Sequence, residues 1–294
     1  MKKLSKTINT FGLVANAEKP ACPQLVRQAA RLIQAKGLRA LAEVETARFA
    51  GLKLDTCPDI PTLARRVDLL IVFGGDGTML RVAREIAGLP APILGINTGA
   101  LGFLTAVQAQ QLPLALEQVW GGEAELEARP LIQATGLARG ERFHQLALND
   151  FVVTRGAQPR LIELEVTVDG QMLTRYRADG LIVCSPTGST AYSLAAGGAV
   201  VNPAAEVFTI TPICPHTLSN RSVVVSLRST IEVKVHSSRV ETVLTADGQP
   251  PIPLAAGDVV AIRQSRYTVK LIHLAGSSFF ETLRRKLNWS GTNV

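Results

Sequence analysis

Leu69-Leu70-Ile71-Val72-Phe73 is an unbroken apolar run of strand length, and Gly74-Gly75-Asp76-Gly77-Thr78 follows it at once. A strand with no polar alternation must be buried on both faces, as inner strands of a helix-covered parallel sheet are. The glycines permit positive φ and let backbone N–H groups approach an anion with no Cβ in the way. Met79 to Ala87 then reads as a helix that stops at Gly88, with Pro90 beyond. Its start would turn the positive end of a helix dipole toward the same anion. Together these features predict a phosphate-binding loop at the carboxyl end of a parallel strand, where open α/β sheets place their ligands. Asp76 is the odd member, since a carboxylate repels phosphates. It makes sense as the acceptor of a proton from an attacking hydroxyl, or as help in holding a magnesium ion. A plainer reading of the same residues is a tight turn with Asp76 capping the helix. The loop lacks the Gly-Lys-Ser/Thr ending of a Walker A sequence and is not G-x-G-x-x-G, so a hydride-transfer dehydrogenase loses its best support.

Outward from this stretch the pattern repeats. Phe11 to Ala15 reads as a strand, and Pro23 to Ala35 as a helix with Leu25, Ala29, Leu32 and Ile33 at helical spacing, closed by Lys36-Gly37. Ala40 to Val44 and Pro92 to Ile96 read as further strands, and Gln111 to Trp120 as a helix. Such alternation predicts an α/β domain over 1–125 with a Rossmann-like parallel sheet. A second glycine-bearing loop, Gly95-Ile96-Asn97-Thr98-Gly99-Ala100-Leu101-Gly102-Phe103, leaves the next strand toward the same rim. After Gly121-Gly122 helical periodicity fades. Short runs at Leu131 to Ala138, Leu161 to Val168, Val223 to Val225, Ile231 to Val235, Val259 to Ile262 and Tyr267 to Ile272 are separated by turn signals such as Asp169-Gly170, Asp247-Gly248 and Gly257-Asp258. They predict a β-rich, sandwich-type domain over 126–275. Helical spacing returns from Phe279 to Leu287, in a tail over 276–294 expected to pack back on the first domain.

Composition narrows the function classes. The 294 residues are 47% hydrophobic and 19% charged, a globular balance. No apolar run approaches the roughly 20 residues that span a bilayer. The basic start, Met1 to Asn9, is not followed by an apolar stretch with a small-residue cleavage site, so the expectation is a soluble, cytoplasmic protein. Cys22, Cys57, Cys184 and Cys214 are scattered, as are the four histidines, which argues for reduced thiols and shows no zinc-type cluster. A net charge of +7 fits nucleic acid, a membrane surface, phosphorylated small molecules or a merely basic surface. Aromatic residues are only 5%, too few for base-stacking platforms, which favours a phosphate-rich small ligand over a polymer.

Ser185-Pro186-Thr187-Gly188-Ser189-Thr190-Ala191-Tyr192-Ser193 is a second dense stretch. Its hydroxyls both donate and accept, so they can read ribose and adenine edges. Ahead of it, Asp179-Gly180 fits a hairpin turn between a strand ending at Tyr176 and one starting at Leu181. Arg175 and Arg177 are candidates for neutralising phosphate or simply solvated strand residues. His216 is a ligand contact or a structural histidine, and Asn149-Asp150 a site pair or merely a strand end.

Gly74 to Thr78 is similar to the loop shared by NAD kinases, diacylglycerol and sphingosine kinases and, more loosely, 6-phosphofructokinases. The stretch Asp179 to Ser193 resembles the glycine-, serine- and threonine-rich signature of the NAD kinases. Asn149-Asp150, Gly95 to Phe103, Ile210 to His216 and Asp247-Gly248-Gln249 fall in that family's order, so the resemblance runs from about Phe11 to Ile272. It implies transfer of the γ-phosphate of ATP to the 2′-hydroxyl of the adenosine ribose of NAD, a divalent metal such as magnesium, and a homodimer or homotetramer whose subunits can contribute to each other's sites, with NAD bound between the two domains. Asp76 matches the family's proposed general base, with Gly77 beside it, and Phe103 an aromatic that contacts adenine. Asn149 matches the asparagine that bonds the cofactor ribose. Asp150 stands where many relatives carry Glu, one methylene shorter. Arg160, Arg177 and Asp179 fall at ligand-contacting positions. Thr190, Ala191, Tyr192, Ser193 and Ala195 match the loop around adenine and ribose, and Gln249 a polar contact from the β-rich domain. Cys184-Ser185 replaces the more usual Ser-Thr. Gly74, Gly75, Gly77 and Thr78 form the phosphate loop, and no dedicated protein cage for the metal is implied.

Two other readings compete. A lipid kinase of the same superfamily would tolerate changes at Thr190 to Ser193, and a non-catalytic NAD(P)-binding module would have no use for Asp76. Nothing in the sequence offers a nucleic-acid motif.

Overall fold

The apolar run at 69–73 is an inner strand of a parallel sheet. The computed structural model describes residues 2–4, 7–105, 107–217 and 219–289, so part of the basic start and the end of the expected tail lie outside the described residues. The chain divides into two units, Met1–Ala128 with Thr268–Val294, and Arg129–Tyr267.

In chain order the first unit holds β1 (Lys2–Lys3), β2 (Thr10–Ala15), α1 (Cys22–Ala35), β3 (Arg39–Glu43), α2 (Val44–Ala50), β4 (Asp55–Cys57), α3 (Ile60–Arg66), β5 (Leu69–Gly74), α4 (Asp76–Glu85), β6 (Ile93–Asn97), β7 (Val107–Gln108), α5 (Leu112–Trp120) and the start of β8 (Glu125–Ala138). Its main strands lie in the order β6-β5-β2-β3-β4, all parallel. The chain moves outward from β2 to β4, then crosses back to β5 on the other side of β2. That reversal is a topological switch point, where the carboxyl ends of β2 and β5 open a crevice. All six residues of β5 are buried, as the unalternating sequence requires. Phe11, Leu13, Ile71 and Phe73 pack with Val26, Ile33 and Leu116 from the helices.

Two elements differ from expectation. Val44 does not end a strand but begins α2. The stretch Asp55 to Arg66 was not expected to be regular, yet Asp59 caps α3 by accepting from Thr62 N at 2.6 Å.

The second unit continues β8 and adds β9 (Glu141–Ala147), β10 (Asp150–Arg155), β11 (Ile162–Val168), β12 (Gln171–Ala178), β13 (Gly180–Cys184), a 3-10 turn at Thr187–Thr190, α6 (Tyr192–Ala195), β14 (Val207–Ile213), β15 (Val223–Ser226), β16 (Ile231–Val235), β17 (Thr242–Ala246), β18 (Ile252–Leu254) and the first part of β19 (Val259–His273). One antiparallel sheet runs β15-β14-β13-β10-β17-β18; β12, β11, β16 and β19 form another antiparallel run. Phe151, Leu164, Tyr176, Phe208, Val233 and Ile262 fill the core between them, giving the expected sandwich. The two strands expected at 259–262 and 267–272 are one, β19. The remainder of β19 pairs with β6 at Leu271↔Ile93 in the first unit, and α7 (Phe279–Leu287) follows there.

The hairpin expected at Asp179-Gly180 is absent. β12 pairs with β11, and β13 with β10 and β14, so the chain steps from one sheet to the other across Asp179 alone. The Asp169-Gly170 and Asp247-Gly248 turns do form, with φ of 51° and 77°, and 47° and 68°.

Candidate active site

Gly74 pairs with Asn97 at the carboxyl ends of β5 and β6, so the two glycine-bearing loops leave the sheet side by side. α4 begins at Asp76 rather than Met79, with Gly75 as its N-cap and no side-chain cap, which overturns the reading of Asp76 as the cap. None of Gly74, Gly75 and Gly77 has positive φ. Gly74 is needed for a different reason: a Cβ there would overlap the Thr78 side chain. Around Gly75 and Gly77 the space where a Cβ would sit is open. The first N–H groups of a helix lack intrahelical acceptors, so this open space lies beside ready anion donors.

Asp76 reaches across to the second loop. Its Oδ2 accepts from Phe103 N at 2.8 Å, and its Oδ1 from Leu104 N at 3.1 Å, Thr105 N at 3.2 Å and Thr105 Oγ1 at 3.2 Å. Buried Asn97 braces the same loop, donating to Ala100 O at 2.8 Å and Thr105 Oγ1 at 2.9 Å and accepting from Gly99 N at 2.7 Å. The backbone passes so close at Gly102 that a Cβ would overlap the Asp76 carboxylate. Phe103 is thus placed by Asp76, and its ring lies 6.4 Å from that of Phe279 and 5.5 Å from Lys286 Nζ, both on α7. A cavity of about 370 Å³ opens at the switch point, walled by Asn16, Glu18, Glu43, Glu45, Gly77 and Arg81.

In the second unit, Asn149 and Asp150 form the turn into β10 and are only 9% and 5% exposed. Asp247 holds their backbone: its carboxylate accepts from Leu148 N at 2.9 Å, Asn149 N at 2.8 Å and Asp150 N at 3.2 Å. On the other side Ser185 Oγ donates to Leu148 O at 2.6 Å and Ser185 N to Asn149 O at 2.8 Å. Burial, and then the neighbouring Asp247 charge, push the Asp150 carboxyl up to about 7. Burial likewise raises the Cys184 thiol, opposite Asp150 on β13, to about 11.

The hydroxyl-rich loop is largely its own scaffold. Ser189 Oγ donates to Pro186 O at 2.8 Å and accepts from Val201 N at 3.0 Å, Thr190 Oγ1 donates to Thr187 O at 3.3 Å, and Ser193 Oγ lies 3.1 Å from Thr211 Oγ1. Buried Arg129, which the sequence did not single out, donates to Thr187 Oγ1 at 3.2 Å. Tyr192 and Ala195 face outward, Tyr192 being 48% exposed. Gln249 follows Asp247 in the turn beside Asn149 and donates from its backbone to Ala246 O at 2.9 Å.

Three expected contacts are not brought to this cluster. Asp179, whose carboxylate pairs with Arg155 Nε at 2.7 Å, sits at the far end of β10, about 17 Å along a strand of this length. Arg160 and Arg177 are exposed, and the Arg177 carbonyl accepts from the exposed His216 at 2.8 Å.

A parallel α/β unit with a Gly-Gly-Asp-Gly loop at its switch point, joined to a β-sandwich with a hydroxyl-rich loop, defines a phosphotransferase of the nucleotide-kinase type. The ATP-NAD kinase N-terminal domain matches residues 11–124 and the ATP-NAD kinase C-terminal domain residues 148–274. The chain belongs to the NAD kinase family. The NAD kinase of Symbiobacterium thermophilum is 42% identical over 283 residues, 96% of this chain and 99% of that protein. The crystal structure of yeast NADH kinase complexed with NADH matches with a TM-score of 0.88 at 25% identity, covering 99% of this chain and 90% of that one. An NAD kinase from Archaeoglobus fulgidus in complex with ATP matches with a TM-score of 0.76 at 26% identity, covering 96% of this chain and 100% of that one.

Proposed function

We propose that Asp76 is the general base of this chain's reaction, and that Gly77, Phe103, Asn149, Asp150, Gln249 and the loop from Thr190 to Ala195 hold the dinucleotide. The reaction itself is that of the family: the γ-phosphate of ATP passes to the 2′-hydroxyl of the adenosine ribose of NAD, giving NADP and ADP. The observation that carries the residue assignment is Asp76, the one carboxylate in a loop otherwise built to receive phosphate. In the transfer, the ribose oxygen bonds to the γ-phosphorus as the bond to the β-phosphate oxygen breaks, and the hydroxyl proton passes to Asp76. The Asp76 Oδ1 accepts three hydrogen bonds and Oδ2 only one, so Oδ2 is the oxygen proposed to meet the ribose hydroxyl.

The triphosphate is proposed to lie against the start of α4, at Gly75 to Thr78. Among the described residues no three His, Cys, Asp or Glu groups converge as a metal cage. The divalent ion, magnesium by this reading, is proposed to bind with ATP, and Glu18, Glu43 and Glu45 on the cavity wall suit a cation better than a bare anion. It would supply charge neutralisation on the transferring phosphate. Arg160, Arg177 and Asp179, remote from Asn149 on β10, fit a contribution to another subunit's site in a homodimer or homotetramer; light scattering of the purified chain tests that assembly. No helix among the described residues is long and apolar enough to cross a membrane, and a cytoplasmic location is part of the proposal.

The direct test is incubation of the purified chain with ATP, magnesium and NAD, with NADP read by an NADP-specific dehydrogenase and with NADH, diacylglycerol and sphingosine as parallel acceptors. NADP formation dependent on ATP is expected. Phosphorylation of the lipids instead, or dinucleotide binding with no turnover, would overturn the reading.

A further inference from the structure

Asp247 lies in a tight turn, and the sequence gives it no role beyond that turn and its place ahead of Gln249. Two features make it unusual. It holds φ at 47°, a backbone state in which a non-glycine residue needs local compensation. Its carboxylate then takes the N–H groups of three successive residues, Leu148, Asn149 and Asp150, from a segment almost a hundred positions earlier. The Asp247 N–H returns a bond to Asp150 O at 3.1 Å. With Ser185 taking Leu148 O and Asn149 O from the opposite side, the peptide groups of this turn have almost no freedom. Gly188 closes the remaining space, since a Cβ there would overlap the Asn149 carbonyl.

We infer that Asp247 is a positioning residue for NAD: its carboxylate clamps the Leu148–Asp150 backbone so that the Asn149 and Asp150 side chains are presented to the ribose. The inference rests on the reading of Asn149 and Asp150 as dinucleotide contacts. Asp247 touches no reacting atom; it acts through the turn. Fixing a binding group in advance lowers the ordering cost of ligand capture, so loss of the clamp raises KM more than it lowers kcat. The same carboxylate faces Asp150, and among the described residues the other titratable group against Asp150 is the Cys184 thiol on β13. Removing the Asp247 charge therefore makes Asp150 easier to ionise.

Steady-state kinetics of the full chain separate the possibilities. Asp247→Gly keeps the left-handed turn and deletes the clamp; it is expected to raise KM for NAD about tenfold with kcat within about threefold of the parent. Asp169→Gly is the control, because Asp169 makes the equivalent turn with φ of 51° and accepts from Thr230 N, away from Asn149. It should leave KM unchanged. Asp247→Asn keeps the turn and an acceptor oxygen but removes the charge. Its acid limb of kcat/KM should move to lower pH, a shift that a merely structural role would not produce, and this variant carries the test if Asp247→Gly does not fold. Asn149→Ala should raise KM by at least as much as Asp247→Gly. If Asn149→Ala raises KM while Asp247→Gly matches the control and the Asp247→Asn acid limb stays in place, Asp247 is not a positioning residue. If Asn149→Ala itself leaves KM unchanged, the reading of the turn as a dinucleotide site fails.

Discussion

Two carboxylates, one in each unit, sit in opposite circumstances. Asp76 accepts four hydrogen bonds from the loop that follows β6. Asp150 is buried, with burial and the Asp247 charge both opposing its ionisation, and Asp247 has taken the backbone N–H groups of the turn. The difference teaches that burial alone does not make a carboxylate reactive; what matters is which groups are left to stabilise its charge. Asp76 is held by the backbone of a neighbouring loop, three donors on Oδ1 and one on Oδ2. Asp150 holds its proton up to about pH 7 and becomes a full acceptor only above that.

The comparison can be broken at several points. The largest effect is expected from Gly188→Ala, because the added methyl meets the Asn149 backbone, which has no flexible end to move aside. A loss of about 3 kcal/mol in urea unfolding is anticipated. A smaller loss would show that the turn is looser than its hydrogen bonds indicate.

Asp150→Asn comes next and has the opposite sign. A carboxyl raised from 3.8 to about 7 contributes stability that is present below the ordinary carboxylate range and lost as pH rises through about 7. The parent should therefore lose stability between about pH 4 and pH 7, while the amide variant stays flat and is about 2 kcal/mol more stable at the upper end. Parallel pH profiles for the two proteins would contradict the burial of an uncompensated charge.

Gly102→Ala makes the matching cut in the first unit. Here the added methyl meets the end of a side chain, Asp76, which can swing away. Stability should fall by only about 1 to 2 kcal/mol, but the swing removes Asp76 from its loop and turnover should fall with it. The smallest effect is that of Thr105→Val, which deletes one of the four donors to Asp76 and one link to Asn97. It should cost about 1 kcal/mol. NAD turnover by this variant sharpens the comparison, since it should survive where that of Gly102→Ala does not.

Much of this arrangement was legible in the chain. The unalternating run at 69–73 could only be an inner strand, and the two glycine-bearing loops had to leave the same rim. The antiparallel domain followed from short alternating runs such as Ile231–Val235, whose residues are buried and exposed in turn. What escaped depends on contacts between distant residues. The partners of Asp76 lie 27 to 29 positions away, so a local reading could offer only a helix cap. Asp179-Gly180 has the residues of a hairpin turn, yet the strands on either side found better partners in two different sheets. Ser189 Oγ bonds within its own loop and Ser193 Oγ meets Thr211 on β14, partners that a local reading does not supply. Asp247 was visible as a turn; its grip on Leu148 to Asp150 was not.

The role of Asp76 is tested most directly by ATP-dependent NADP formation by Asp76→Asn beside the parent chain, with both shown to be folded by circular dichroism. The amide keeps an oxygen for the loop donors but cannot take the ribose proton. A fall in kcat of about 10² to 10⁴ is expected, as for loss of a positioned base. Full NADP formation by the folded variant would contradict the assignment of Asp76 as the base and leave the glycine loop as a phosphate cradle alone.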